Sequence, residues 1–102
     1  MYLIQLLLPV YDNSGRRFPP AHHKAVKEEL AACFGGLTAY TQAPAEGLWS
    51  DDRGVQTRDD IIVYEVMTDA VDADWWKAFR ERLEVQFEQR EVLVRALSVT
   101  KL

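Results

Sequence analysis

The chain has 102 residues, a formal net charge of −4 and a hydrophobic share of 48%, the profile of one soluble domain of common size. The negative balance supplies no general attraction to nucleic acid or anionic lipid. The single cysteine rules out an internal disulfide, and the apolar opening, Tyr2 to Val10, falls far short of the roughly 20 residues needed to span a bilayer. That opening also lacks the basic region and small-residue cleavage site of a signal peptide. The expectation is a cytoplasmic protein with neither nucleic acid nor membrane as partner.

Tyr2 to Leu8 is short, apolar and ended by Pro9, which predicts a strand. Both of its faces, Tyr2-Ile4-Leu6-Leu8 and Leu3-Gln5-Leu7, are mostly apolar, so each side of the sheet calls for a cover. Val10 to Pro20 is a connector turning at Asp12-Asn13-Ser14-Gly15. Pro20 suits the first position of a helix running to Phe34, where Gly35-Gly36 stops it. Val26, Leu30 and Cys33, with Phe34 beside them, make its buried stripe, and Lys24, Lys27 and Glu28 face largely toward water.

Leu37 to Met67 then reads as one long hairpin. Its arms, Leu37 to Trp49 and Val55 to Met67, face each other across Ser50-Asp51-Asp52-Arg53-Gly54. Equal arms set Tyr40 opposite Tyr64 and Trp49 opposite Val55, and Pro44 and Gly47 predict a bulge or bend around Ala43 to Glu46. Asp72 suits the N-cap of a second helix, with Trp76, Phe79, Leu83 and Phe87 as its buried stripe and Trp75 flanking. Glu91 to Thr100 predicts the last strand, with Val92, Val94, Ala96 and Ser98 on one face and Leu93, Arg95, Leu97 and Val99 on the other.

The order β-α-β-β-α-β is the split βαβ of a ferredoxin-like α+β sandwich with an antiparallel sheet. Right-handed crossovers place both helices on one face, leaving the other apolar face for a second copy of the chain, hence a homodimer through the sheet. This order, with strands apolar on both sides, resembles the dimeric α+β barrel superfamily, whose members include cofactor-independent monooxygenases, lactone isomerases and haem-dependent enzymes. More narrowly, Leu8-Pro9-Val10-Tyr11-Asp12-Asn13, Phe34-Gly35-Gly36-Leu37-Thr38-Ala39-Tyr40 and Trp75-Trp76 resemble stretches of a small bacterial family of uncharacterised proteins. The resemblance implies the fold and the dimer and carries over no active-site residue.

The sharpest polar constellation is Arg16, Arg17, His22, His23, Lys24 and Lys27 around the start of the first helix. Free N–H groups and nearby cations suit a carboxylate or phosphate there, and the same field favours a neutral histidine. His22 and His23 flank the apolar stripe, so either is placed to line a pocket and to act as the catalytic base, against the plainer reading of a solvated helix start. Tyr40, Trp49, Tyr64 and Arg95 are further ligand-binding candidates, and Arg95 is equally suited to an ion pair with Glu65. Adjacent histidines lack the i, i+4 spacing of a shared metal, and Asp51, Asp52, Asp59 and Asp60 read as a solvated hairpin tip. No metal and no organic cofactor is therefore expected, and Cys33 reads as a small core residue.

Two readings stay open. One is a homodimer holding a small anionic metabolite between sheet and helices, with a cofactor-independent monooxygenase- or isomerase-like enzyme as its catalytic variant. The other is a non-catalytic interaction protein without a ligand.

Overall fold

Alternation in the first strand sends Ile4, Leu6 and Leu8 to one side, where they are almost wholly shielded from solvent. The computed structural model describes the backbone of residues 1–50 and 56–102 and the side chains of residues 1–41 and 60–102. Its elements run β1 (Tyr2–Pro9), α1 (Pro20–Phe34), β2 (Thr38–Ser50), β3 (Gln56–Thr68), α2 (Ala73–Gln86) and β4 (Leu93–Ser98). The strands form one sheet in the order β2-β3-β1-β4, every neighbour antiparallel. Two interleaved split βαβ units give that order, which is the ferredoxin-like α+β fold. No helix among the described residues is long and apolar enough to cross a membrane.

Both helices cover the same face. Val26 and Leu30 of α1 and Trp76, Phe79 and Leu83 of α2 join Ile4, Leu6, Leu8, Ile62, Tyr64 and Val66 of the sheet in one core. Pro20 opens α1, and Gly35, at φ 77°, closes it with its N–H on the Ala31 carbonyl at 2.9 Å. Asp72 caps α2 by accepting from the Trp75 N–H at 3.1 Å. Phe34 lies flat on Trp76 at 5.1 Å and edge-on to Trp75 at 5.4 Å. Such aromatic pairs contribute about 0.5–1.5 kcal/mol each beyond area burial. Arg82 and Glu29 join the helices across solvent at 2.8 Å, a contact contributing about 1 kcal/mol at most.

Cys33 is exposed, not a core residue. In the last turn of α1 the larger Phe34 takes the place against the tryptophans, and the thiol falls outside. The final strand runs only from Leu93 to Ser98, and it starts later than Glu91 because the Val92 N–H is taken by the Glu84 carboxylate at 2.9 Å instead of by a neighbouring strand.

The hairpin has two thirteen-residue arms, each one residue later than the pattern implied. Its tip, Asp51 to Val55, lies outside the described residues. The register does not follow from equal arms. Tyr40 pairs with Val63, Ala39 with Tyr64, and Trp49 with Thr57, because the pairing shifts between Tyr40 and Ala45. Over that gap the four residues Thr41 to Pro44 answer the single residue Ile62. Proline cannot donate to a ladder, and an edge strand tolerates such an interruption. Strand side chains alternate, so the one-residue slip at Tyr40 places it and Tyr64 on opposite faces of the sheet.

At the end of α2, Glu88 holds φ 53° while the Gln89 N–H reaches the Glu84 carbonyl at 2.9 Å. A side chain in the left-handed region costs about 1 kcal/mol that glycine avoids. Glu88→Gly is expected to stabilise the fold by roughly 0.5–1 kcal/mol in urea denaturation; a destabilised variant would contradict this geometry.

Candidate functional site

The connector after β1 is folded by one carboxylate. Asp12 Oδ1 accepts from the Ser14 N–H at 2.9 Å, the Ser14 hydroxyl at 2.7 Å and the Arg16 N–H at 2.9 Å. These bonds hold its carboxyl below the usual carboxylate range, the Ser14 hydroxyl most and the Arg16 N–H next. Gly15 supplies the left-handed residue at φ 83°. The loop closes with the Phe18 N–H on the Val10 carbonyl at 3.0 Å. Arg17 and Phe18 are thereby delivered to the first turn of α1.

His23, half-buried on that turn, joins three elements. Its Nε2 lies 3.1 Å from the Pro9 carbonyl of β1, and its Nδ1 lies 2.6 Å from the Tyr64 hydroxyl of β3. A carbonyl only accepts, so Nε2 carries a proton, and in the neutral ring Nδ1 accepts the Tyr64 O–H. Burial pushes the His23 imidazole below its ordinary value. The Pro9 hydrogen bond pulls the other way, and Lys27, His22 and Arg17 add to the depression. The start of the helix was expected to favour a neutral histidine, and the main cause is desolvation. Tyr64 has no solvent-accessible surface, and burial pushes its phenol up to about 12.

Beside this pair lies a cleft of about 180 Å³ between helix and sheet, whose wall includes Arg17, Phe18, His23, Lys27, Thr41 and Tyr64. Among the described residues that line it, none is acidic. Arg17, His23 and Tyr64 of the sequence candidates thus come together. His22 turns aside, lying 5.7 Å from each of the Phe18 and Phe87 rings. Lys27, part of the same basic constellation and exposed as its position on the helix implied, stands one turn beyond His23 on the same helix face.

Tyr40 and Arg95 lie on the opposite face. There the Tyr40 hydroxyl donates to Glu65 at 3.0 Å, Gln5 Nε2 donates to Glu65 at 2.6 Å, and Arg95 Nε donates to Gln5 Oε1 at 2.7 Å. Arg95 reaches Glu65 only through Gln5, because β1 stands between β3 and β4. This polar row crosses all four strands, with Leu3, Leu7, Val63, Met67, Leu93 and Leu97 at flanking positions. Gln5 and Glu65, each polar in an apolar strand, were the sequence signal for it. The Trp49 side chain, the carboxylates of Asp51, Asp52 and Asp59, and Arg53 and Arg58 lie outside the described side chains. Among the described residues no group of three or more His, Cys, Asp or Glu side chains is placed to hold a metal ion.

No protein-family model matches the chain, and no curated protein matches it by sequence. Solved structures do share its shape. A divalent cation tolerance protein, CutA1, from Thermus thermophilus superposes with a TM-score of 0.64 at 10% identity, covering 99% of this chain and 86% of that one. A phage SAM lyase in complex with S-methyl-5′-thioadenosine gives 0.63 at 11% identity, covering 94% and 79%. At such identities the likeness establishes the fold, ferredoxin-like α+β, and transfers no chemistry.

The His23 pKa lies lower in the folded chain than its value of 6.5 for an unperturbed ring. Between the two values the unfolded chain binds the extra proton, so the contribution of neutral His23 is present above about pH 6.5 and lost as pH falls toward the folded pKa. Thermal denaturation should therefore show a decline in this window that is smaller in His23→Gln; identical profiles would contradict it. Tyr64→Phe, which leaves Nδ1 without a donor, should cost about 1–3 kcal/mol.

Proposed function

We propose that the protein binds a small anionic ligand in the cleft at the start of α1 and works as a homodimer stacked through its open sheet face. The observation that carries the ligand reading is the convergence of Arg17 and Lys27 on one cleft, beside neutral His23, with no carboxylate among the described lining residues. Two cations with no facing anion among the described residues favour an oxyanion, and an arginine offers it paired donors. The volume of about 180 Å³ is smaller than the roughly 300 Å³ at which drug-sized pockets begin. The fitting ligand is therefore a free oxyanion or the anionic end of a metabolite whose remainder stays in solvent.

Binding is favoured over proton abstraction. Tyr64 with its phenol near 12 is not a tyrosinate at neutral pH, and a histidine pushed below its ordinary value is a weak base. Catalysis is not part of the reading.

The dimer rests on the open face. A two-fold axis parallel to the strands brings the Arg95 end of one polar row over the Glu65 and Tyr40 end of the other. An axis across the strands would stack like on like. The flanking leucines, Val63 and Met67 then meet across the roughly 10 Å of a sheet-on-sheet packing.

Isothermal titration with inorganic phosphate tests the ligand. Arg17→Ala and Lys27→Ala should each weaken binding about tenfold or more, the scale of a lost charged hydrogen bond; unchanged affinity in both would end the cleft reading. Light scattering tests the dimer. A dimer at micromolar concentration, dissociated by Arg95→Glu and restored by adding Glu65→Arg, is expected, and a monomeric parent protein would contradict it.

A further inference from the structure

The hydrogen bonds of His23 constrain how the cleft responds to a ligand. Nε2–H is committed to the Pro9 carbonyl at 3.1 Å, so a second proton can enter only at Nδ1, between the ring and the Tyr64 hydroxyl 2.6 Å away. The groups facing the ring from each packed element are known among the described side chains. α1 contributes His22 and Lys27, the connector Arg17, and β3 Tyr64. β1 gives a carbonyl, β2 the Thr41 side chain of the same cleft, and the segment after α2 the Phe87 ring at 5.0 Å. The cleft therefore presents cations to His23 and, among these groups, no carboxylate to stabilise its charged form.

We propose that a doubly charged oxyanion enters this cleft together with a proton, which is taken up at His23 Nδ1. The inference rests on the cleft being an anion site and goes beyond it by naming the preferred charge of the ligand and the pH dependence of loading. A dianion between Arg17 and Lys27 neutralises the two charges that repel imidazolium and adds an attraction of its own. With Nδ1 protonated, the His23–Tyr64 hydrogen bond reverses. The ring donates and Tyr64 accepts. The site thus gains a positive charge as the anion arrives. Linkage is reciprocal, so the proton tightens the anion by the factor by which the anion tightens the proton.

Sulfate is the appropriate probe, because it remains a dianion across the histidine range and any pH dependence then belongs to the protein. Titration calorimetry between about pH 5 and pH 8, in two buffers of different ionisation enthalpy, reads affinity and proton uptake together. The expected result is sulfate binding that weakens as pH rises, by up to tenfold per unit, with uptake approaching one proton. Sulfate should bind His23→Gln more weakly than the parent protein at about pH 5 and with an affinity that no longer depends on pH, while His22→Gln should keep both the affinity and its pH dependence. Binding of constant affinity, or pH dependence that persists in His23→Gln, overturns the proton linkage and leaves the anion site standing. Absence of sulfate binding throughout the range overturns both.

Discussion

The imidazole of His23 spans the gap between α1 and two neighbouring strands, one nitrogen on the Pro9 carbonyl of β1 and the other on the Tyr64 hydroxyl of β3. A fully buried phenol needs a partner for its hydrogen, and a strand-end carbonyl facing a helix needs a donor. One neutral ring satisfies both. The arrangement sets the rotation of the first turn of α1, and with it the placement of Arg17 before that turn and Lys27 one turn later. The cleft exists because this polar bridge, and not another aliphatic contact, closes the helix onto the sheet. The cations nearby and the burial of the ring act in the same direction, keeping it neutral.

The second constraint is the irregularity in β2. Because the four residues from Thr41 to Pro44 answer one residue of β3, the tyrosines of the two arms part company. Tyr64 goes inward to His23, and Tyr40 goes outward to Glu65. Each face of the sheet thereby acquires a distinct polar feature: a buried tyrosine–histidine pair beneath the helices, and a charged row across the open side. The sheet separates the histidine–tyrosine cleft from the polar row, and Gln5 and Glu65 mark the open face as clearly as His23 and Lys27 mark the helix-covered one.

Much of the architecture was legible from periodicity and punctuation. Pro20, Gly35 and Asp72 bounded the helices where the structure has them, and the Trp76-Phe79-Leu83-Phe87 stripe is buried as its spacing implied. Pro44 and Gly47 located the irregularity in the first arm, yet its size was not readable, since a proline says that pairing is interrupted and not how many residues are left over. The Tyr40–Tyr64 pairing was therefore beyond reach, and a shift of one residue was enough to invert the face. Cys33 was misplaced for a related reason, because helical spacing gives a direction and cannot tell which of two adjacent residues at a helix end meets a neighbour. The site was legible by half. Arg17 and His23 stood out as charge and chemistry, whereas the Tyr64 contact depends on three elements meeting far apart in sequence.

The proposed anion response of the cleft depends on a neutral, Nε2-protonated His23 ring that accepts from Tyr64. Long-range proton–nitrogen NMR of the histidine rings at neutral pH reports that state directly. His23 is expected to show a protonated Nε2 and a bare, hydrogen-bonded Nδ1. A proton on Nδ1 at neutral pH, whether in the other tautomer or in an imidazolium, would contradict it.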